Sequence, residues 1–282
     1  MAATEAKSSI VIRDITSISE MREVEELQRQ VWGVDDLEVF PALALIPMSE
    51  VGAVLIGAFD GERLIGFVFG FPGLENRQPI LHSDMLAVRP EYRSTGLGYQ
   101  LKLAQRDRAL ARGLDTITWT FDPLQSRNAH LNFGRLGVVA SRYCVDYYGE
   151  TTSFLHQTGT DRLWVTWLLN SARVRDRLGG TQAERLSNWD ELTTLSCAQS
   201  GEPVSLSVEA SLAKTFAIEI PDDINRVWNE NAALASRWRE ASRVAFTRLI
   251  NAGFQVTDFQ LVARPHARVG QYLLTARPDL GA

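Results

Sequence analysis

The chain has 282 residues, of which 45% are hydrophobic, and this is enough for one large globular domain or two small ones. Its formal net charge is −5 at pH 7. This balance argues against a nucleic-acid partner, because neutralising phosphates needs a basic face.

The cysteines and the first residues bear on the environment of the protein. Cys144 and Cys197 have neither a Cys-x-x-Cys partner nor histidines at a metal-ligand spacing, so we expect reduced thiols and no metal. Residues 1–9 lack the apolar core of a secretory signal and are predicted to be a disordered tail. No run approaches the roughly 18 apolar residues of a membrane span, so no membrane partner is expected. The expected location is the cytoplasm.

The first elements carry clear local signals. Alternating side chains predict a strand over residues 10–15. Ser17 and Glu20 form a capping-box pattern, and apolar residues at helical spacing then predict a helix over residues 19–31. The apolar residues 34–48, interrupted by two prolines, are typical of a short helix packed on the sheet. Asp60-Gly61 between two apolar runs predicts a hairpin of strands over residues 51–59 and 64–71.

Residues 80–98 are the stretch around which the chain is organised. An apolar run ending at Val88 predicts a strand, and residues 98–112 are typical of a helix. Between them, Gly96 and Gly98 have no side chains, so a ligand can approach the backbone closely. The helix that they open presents unpaired N–H groups and a partial positive charge. Such a turn suits a phosphate or pyrophosphate, although glycines at such turns more often serve the geometry alone.

Further elements follow in chain order. A strand is predicted over residues 115–121, a short helix over residues 128–136 closed by Gly137, and strands over residues 138–148 and 161–169. The last third begins with a helix over residues 171–178 and strands over residues 204–208 and 215–220. A long helical region over residues 221–252, interrupted near residues 229–231, precedes strands over residues 254–262 and 271–275.

Three motifs resemble the GNAT superfamily of acyl-CoA-dependent N-acyltransferases: Leu86-Ala87-Val88, Arg93-x-x-Gly96-x-Gly98, and Asn128-Ala129 followed by Phe133-Gly134-Arg135-Leu136-Gly137. The resemblance implies an α/β fold with a mixed, mostly antiparallel sheet, a splayed central strand pair, and a smaller C-terminal α/β region. The expected domains are an acyl-CoA-binding catalytic domain at residues 10–169 and an α/β extension at residues 170–282, as in a GNAT branch with a long C-terminal extension. Residues 34–48 would then cap the substrate side.

The resemblance also implies a set of cofactor-binding residues. In the family, the amides of the turn hold the CoA pyrophosphate, and the preceding strand diverges from the next one to admit the pantetheine arm. The corresponding residues here are Leu86, Ala87, Val88, Arg93, Ser94, Thr95, Gly96, Leu97, Gly98 and Tyr99. The amides of Ala87 and Val88 are candidates for stabilising the charge on the carbonyl oxygen.

Three more residues are candidates for contacts with CoA. Ser126 occupies the position of the family's pantetheine-contacting asparagine, and Asn128 lies beside it, so either residue is a candidate for that contact. Asn128 equally suits a helix cap. Arg93 and Arg135 either bind phosphates or are solvated.

The catalytic candidates are His82, Asp84 and Tyr143. His82 falls where some GNAT enzymes carry a catalytic glutamate, and Asp84, on the same strand face, either orients the imidazole or acts as the base through a water. Alternatively, His82 is only a satisfied histidine of a strand. Phe133 replaces the tyrosine that protonates the leaving thiolate in many family members. Tyr143, Tyr147 and Tyr148 lie on the following predicted strand, and Tyr143 is the preferred candidate acid among them, with core packing as the alternative.

In the C-terminal part, arginines bracket Trp238 on one predicted helix. Arg239 and Arg243 are four residues apart and share a face with each other, while Arg237 precedes the tryptophan. The two that share a face either grip a carboxylate substrate or belong to a solvated surface.

These residues predict an N-acyltransferase that uses acetyl-CoA or another acyl-CoA and no metal. It would move an acetyl or succinyl group to the amine of a small molecule, such as an amino acid, and a homodimer is left open. The alternative is a catalytically silent CoA-binding or sensing module, which Phe133 favours and the pair of His82 and Asp84 disfavours. A doubly wound nucleotide-phosphate binder fits less well, because a further glycine and a ribose-binding acid are lacking.

Overall fold

The computed structural model describes residues 10–149, 153, 156–180, 193–206 and 214–277. Residue contacts divide the chain into two compact units. The first unit comprises the described residues up to Thr118 together with Ser153, and the second comprises Trp119 to Gly149 and the described residues from His156 onward. The predicted tail at residues 1–9 lies outside the described residues. No described helix is long and apolar enough to cross a membrane.

The first unit contains five strands and three α-helices among its described residues. They are β1 (Val11–Asp14), α1 (Ile18–Trp32), α2 (Ala42–Glu50), β2 (Val54–Asp60), β3 (Arg63–Glu75), β4 (Gln78–Val88), α3 (Leu97–Ala111) and the start of β5 (Thr116–Phe121). A 3-10 turn at Pro90–Tyr92 precedes α3. The strands lie in the order of the chain, and the first four are antiparallel, while β4 and β5 are parallel.

Local signals explain why this unit folds as predicted. Ser17 caps α1 and forms the capping box with Glu20. The hairpin between β2 and β3 turns at Gly61, which has a φ of 62°. The apolar face of α1 packs in one core with α2 and with Phe67, Phe69 and other side chains of the sheet. The predicted strand, helix and hairpin of this region are therefore confirmed.

The second unit begins with the end of β5, at Trp119, and continues to the end of the described chain. Its elements are α4 (Ser126–Ala129), a π-helical segment at His130–Leu136, β6 (Val139–Cys144), β7 (Arg162–Leu168), α5 (Ala172–Leu178), β8 (Thr193–Cys197), β9 (Pro203–Ser205), β10 (Thr215–Pro221), α6 (Ile224–Glu230), α7 (Ala232–Asn251), β11 (Phe254–Ala263) and β12 (Arg268–Ala276). The helical region breaks at Asn231, as predicted, because Asn231 ends α6 and caps α7.

The strand order of the second unit explains where the compact units divide. The order is β7-β6-β11-β12-β10-β8-β9, and every pair is antiparallel except β8 with β10. Val256 of β11 pairs with Ala140 of β6, so strands from both predicted domains lie in one unit. The predicted functional division after residue 169 stays a prediction. The predicted α/β fold with a mostly antiparallel sheet is confirmed.

One helix differs in bounds and geometry from its prediction, and one expected helix cap is wrong. The predicted helix over residues 128–136 starts earlier, at Ser126, and changes from α to π geometry before it ends at Gly137. Asn128 therefore lies inside α4 and is not its cap, since Gln125 occupies the N-cap position. The strand β8 at residues 193–197 was not predicted.

Candidate active site

The turn before α3 is open to solvent. Ser94, Thr95 and Gly96 are exposed, and Ser94 and Gly96 have φ values of 66° and 88°. The hydroxyl of Thr95 donates to the carbonyl oxygen of Tyr92 over 2.8 Å, which closes the loop on itself. No side chain caps α3 at its N-cap residue, Gly96. The first N–H groups of this 15-residue helix are thus available for an external anion.

The space next to Gly96 is open. A Cβ atom added to Gly96 would meet no heavy atom within 4 Å. Leu97 is buried and anchors the start of α3, while Arg93 is exposed and its Nε donates to the carbonyl oxygen of Val88 over 3.3 Å. The predicted residues from Arg93 to Gly96 therefore form an exposed turn, and Leu97 to Tyr99 are the first residues of α3.

β4 pairs very differently along its two edges. It pairs with β3 along its whole length, from Gln78 to Val88. Among the described residues, its parallel register with β5 consists of Leu81 with Ile117 and His82 with Thr118. The stretch that includes Leu86, Ala87 and Val88 follows the last of these pairs. This is the divergent strand pair that the sequence predicted.

A β-bulge interrupts β4 directly after this point. Ser83 is opposite Gly70 and Met85 is opposite Phe69, so Asp84 is the extra residue. Met85, opposite Phe69, lies on the same face of the hairpin as His82, opposite Phe71. Because the bulge breaks the simple alternation of side chains at Asp84, the expectation that Asp84 shares the strand face of His82 stays a prediction.

His82 is half-buried and contacts Thr118 and Phe71. Its Nδ1 atom lies 3.0 Å from the hydroxyl oxygen of Thr118, the register partner on β5. Its ring centroid lies 5.6 Å from that of Phe71. If the proton is on Nδ1, this hydrogen bond leaves Nε2 as the basic nitrogen. His82 as the general base stays a prediction.

The carboxyl group of Asp84 has a raised pKa. Its side chain reaches solvent, yet the surrounding protein excludes enough water that desolvation raises the pKa of this carboxyl. A raised pKa at a bulge next to diverging strands is typical of functional sites as well as of structural ones. The role of Asp84 also stays a prediction.

Lys102 belongs to this region but was not identified from the sequence. It lies on the inner face of α3, and its Nζ donates to the hydroxyl of Ser83 over 2.7 Å and to Oε1 of Gln105 over 3.3 Å. Burial lowers the pKa of this amine to about 7. The signal in the sequence was its helical spacing from the buried Gln105 and Ala109, three and seven residues later.

The second unit holds the other predicted cofactor-binding residues. Asn128 and Arg135 are exposed, whereas Ser126 is buried. The Ser126 hydroxyl has no hydrogen-bond partner among the described residues. Phe133 is fully buried, and its ring packs edge to face against Tyr272 at 5.8 Å between centroids. Phe133 is therefore part of the hydrophobic core of the second unit.

Tyr143 is hydrogen-bonded within the second unit. Its hydroxyl donates to Asp161 over 2.7 Å, and its ring stacks on Phe246 of α7. Burial and the carboxylate of Asp161 raise the pKa of the tyrosine. Arg243 donates to both oxygens of the same carboxylate over 2.8 Å. The hydroxyl proton of Tyr143 is thus hydrogen-bonded to Asp161. The role of Tyr143 as the general acid stays a prediction.

The paired arginines of α7 bind carboxylates of the chain itself. Arg239 is buried and donates to Asp122 over 2.7 Å and to the carbonyl oxygen of Thr158 over 2.7 Å. Arg243 pairs with Asp161 and Asp146. The interpretation as a solvated face is wrong for Arg239, which is buried. The grip on a substrate carboxylate stays a prediction, although acids of the chain already accept hydrogen bonds from both guanidinium groups.

A comparison with protein families identifies the first part of the chain. Residues 19–137 match the family model described as the acetyltransferase (GNAT) family. This part of the chain is therefore similar to a GNAT acetyltransferase domain. The matched part includes the open turn before α3, the bulge of β4 and the start of the second unit.

Solved structures give a more distant likeness. The ribosomal-protein-S18-alanine N-acetyltransferase of Escherichia coli is 14% identical, with 58% of this chain and 96% of that chain covered and a TM-score of 0.46. An aminoglycoside 6'-acetyltransferase type Ii is 16% identical, with 57% and 98% covered and a TM-score of 0.46. An aminoglycoside 6'-N-acetyltransferase complexed with coenzyme A is 14% identical, with 57% and 98% covered and a TM-score of 0.43. No curated protein matches the chain significantly.

Proposed function

We propose that this protein transfers an acyl group, acetyl or succinyl, from an acyl-CoA to the amine of a small molecule such as an amino acid. The observation that carries the proposal is the open, uncapped start of α3 at the end of a diverging strand. Backbone N–H groups and the helix dipole at this place favour a pyrophosphate. The similarity to a GNAT domain over residues 19–137 supports acyl transfer as the reaction.

The chain's own residues suit the steps of this transfer. The amine nitrogen attacks the thioester carbonyl carbon, and its proton passes to His82, which Thr118 orients. Backbone amides near Ala87 and Val88 would donate to the carbonyl oxygen as negative charge develops there. The carbon–sulfur bond then breaks, and the thiolate of CoA leaves with the electron pair.

Calorimetry and a thiol-release assay test the proposal together. The purified protein is titrated with CoA, and free thiol is then followed with acetyl-CoA or succinyl-CoA and a panel of amino acids and other small amines. We expect CoA to bind and at least one amine to raise the rate of thiol release. The variant Gly96→Val tests whether CoA binds at the turn. Valine is strained at a φ of 88°, so this variant should bind CoA more weakly than the wild-type protein. Absence of heat with the intact protein would refute the proposal.

A catalytically silent CoA-binding module is the second candidate. Phe133 is buried and has no hydroxyl group, and the hydroxyl of Tyr143 is engaged with Asp161. CoA binding without turnover on any amine would support this second function over the first.

We further propose that the protein works in the cytoplasm. The two thiols, Cys144 and Cys197, are unpaired cysteines in the structure, which suits a reducing compartment. Fractionation of cells that express the full-length protein tests this, and recovery in a membrane or exported fraction would contradict it.

A further inference from the structure

Lys102 occupies an unusual position for a lysine. Lys102 is only 3% exposed, although lysines are almost never fully buried unless they are paired with an acidic group. The chain has 29 lysines and arginines, and three of them are lysines: Lys7, Lys102 and Lys214. Arginine keeps its charge in proteins, whereas a buried lysine can become neutral. The deeply buried site on α3 thus holds the basic residue that tolerates desolvation better.

The amine of Lys102 reaches the point where β4 leaves β5. Its Nζ lies 2.7 Å from the hydroxyl oxygen of Ser83. Ser83 follows His82, the last residue of β4 in register with β5, and precedes Asp84, the extra residue of the bulge. The hydrogen bond from Lys102 therefore holds Ser83, which lies between the predicted base His82 and the bulge residue Asp84.

Packing around Ser83 leaves little room for adjustment. A Cβ atom on Gly70, the register partner of Ser83, would lie 2.8 Å from the carbonyl oxygen of His82 and 2.9 Å from Nε2 of Gln105. β3, β4 and α3 thus approach one another closely at this place. The hydrogen bond between Lys102 and Ser83 is thus a direct link between α3 and β4 at a closely packed place.

The same helix carries the proposed pyrophosphate site. Lys102 is five residues beyond Leu97, the first residue of α3, so the two are about 7.5 Å apart along the helix axis. A helix of this length is rigid over that distance. α3 therefore links the turn that would hold the pyrophosphate to the strand that would face the thioester.

We propose that Lys102, through its hydrogen bond to Ser83, is a positioning residue that fixes the β4 bulge against α3. This role rests on the proposed acyl transfer, because it sets the distance between the pyrophosphate site and the reacting end of an acyl-CoA. Lys102 is not one of the residues proposed to contact the pyrophosphate. Its loss should consequently lower kcat and leave the KM for acyl-CoA nearly unchanged.

The test compares four variants with the wild-type protein in the thiol-release assay. Lys102→Met and Ser83→Ala should each lower kcat by about 10- to 100-fold, as expected for a small misplacement of reacting groups, with KM for acyl-CoA within about threefold. The double variant should be no slower than the slower single variant, because both changes remove one contact. Ser83→Cys keeps a weak hydrogen-bond acceptor in a similar volume and should recover part of the rate.

The control variant and the outcomes separate this role from mere stability. Lys214→Met removes an exposed lysine of the second unit and should keep the wild-type kcat. Folded Lys102 and Ser83 variants with wild-type kcat, or additive losses in the double variant, would overturn the positioning role while acyl transfer stands. A wild-type protein that transfers nothing would refute the proposed function, and this role with it. Should Lys102→Met not fold, the comparison of Ser83→Ala with Ser83→Cys decides, since both variants retain the lysine.

Discussion

The stability of the folded protein should rise with pH through the titration of Lys102. Burial lowers the pKa of this amine to about 7, and its hydrogen-bond partners Ser83 and Gln105 are uncharged. An unfolded chain would give the amine its ordinary pKa of about 10.4. Between these two values the unfolded chain binds a proton that the folded chain does not bind. Raising the pH removes this advantage of the unfolded state, so the folded state gains stability.

The size of the effect follows from the two pKa values. The full difference corresponds to about 5 kcal/mol of unfolding free energy, which is gained between about pH 7 and pH 10. The part that falls between pH 7 and pH 9 is about 2 kcal/mol. Below pH 7 the lysine is charged in both states, and the cost of burying the charge is present in full.

Urea unfolding of the wild-type protein and of Lys102→Met measures this contribution. Both proteins are titrated with urea at pH 7, 8 and 9. Groups other than Lys102 titrate alike in the two proteins, so their contributions cancel in the difference between the two unfolding free energies. We expect the wild type to gain about 2 kcal/mol relative to the variant across this range. A difference that stays constant with pH would show that Lys102 titrates like an exposed lysine and would refute the burial argument.

Three further changes have defined outcomes. Gly96→Val should weaken CoA binding about tenfold or more with little loss of folding, measured by calorimetry and thermal unfolding, because the turn needs a positive φ. His82→Ala should lower kcat by about 10²- to 10⁴-fold without changing the affinity for CoA, and an unchanged rate across the pH range removes His82 from the mechanism. Arg239→Leu should cost about 3–5 kcal/mol in urea unfolding, because it leaves the carboxylate of Asp122 buried and unpaired. The double variant with Asp122→Leu should recover part of this loss.

Elements with complete local signals were predictable from the sequence. The capping box of α1 involves Ser17 and Glu20 within one turn, and the hairpin of β2 and β3 is encoded in Asp60-Gly61. The open turn at Gly96 was predictable for the same reason. In contrast, β8 is short and rich in hydroxyl side chains, and it gains its strand geometry from pairing with β9 and β10.

Features that depend on distant partners were not predictable. The bulge at Asp84 exists because β4 is paired against β3, and the sequence around Asp84 alone gives no sign of an extra residue. Arg239 lies 117 residues from Asp122, its buried partner. A spacing of four residues on α7 indicated a shared face correctly, but it did not indicate which acids cover that face.

The absence of a tyrosine at Phe133 does not by itself decide against catalysis. A thiolate leaves an acyl carbon more readily than an alkoxide or amide, because a thiol has a pKa of about 8.5, close to neutral pH. Protonation of the leaving sulfur therefore contributes little near pH 8, and the hydroxyl of Tyr143 can remain bound to Asp161 during the reaction. The larger demand is a neutral amine, since free amines are mostly protonated at this pH. Activity should consequently depend on the base at His82 and on the geometry of β4 more than on any acid.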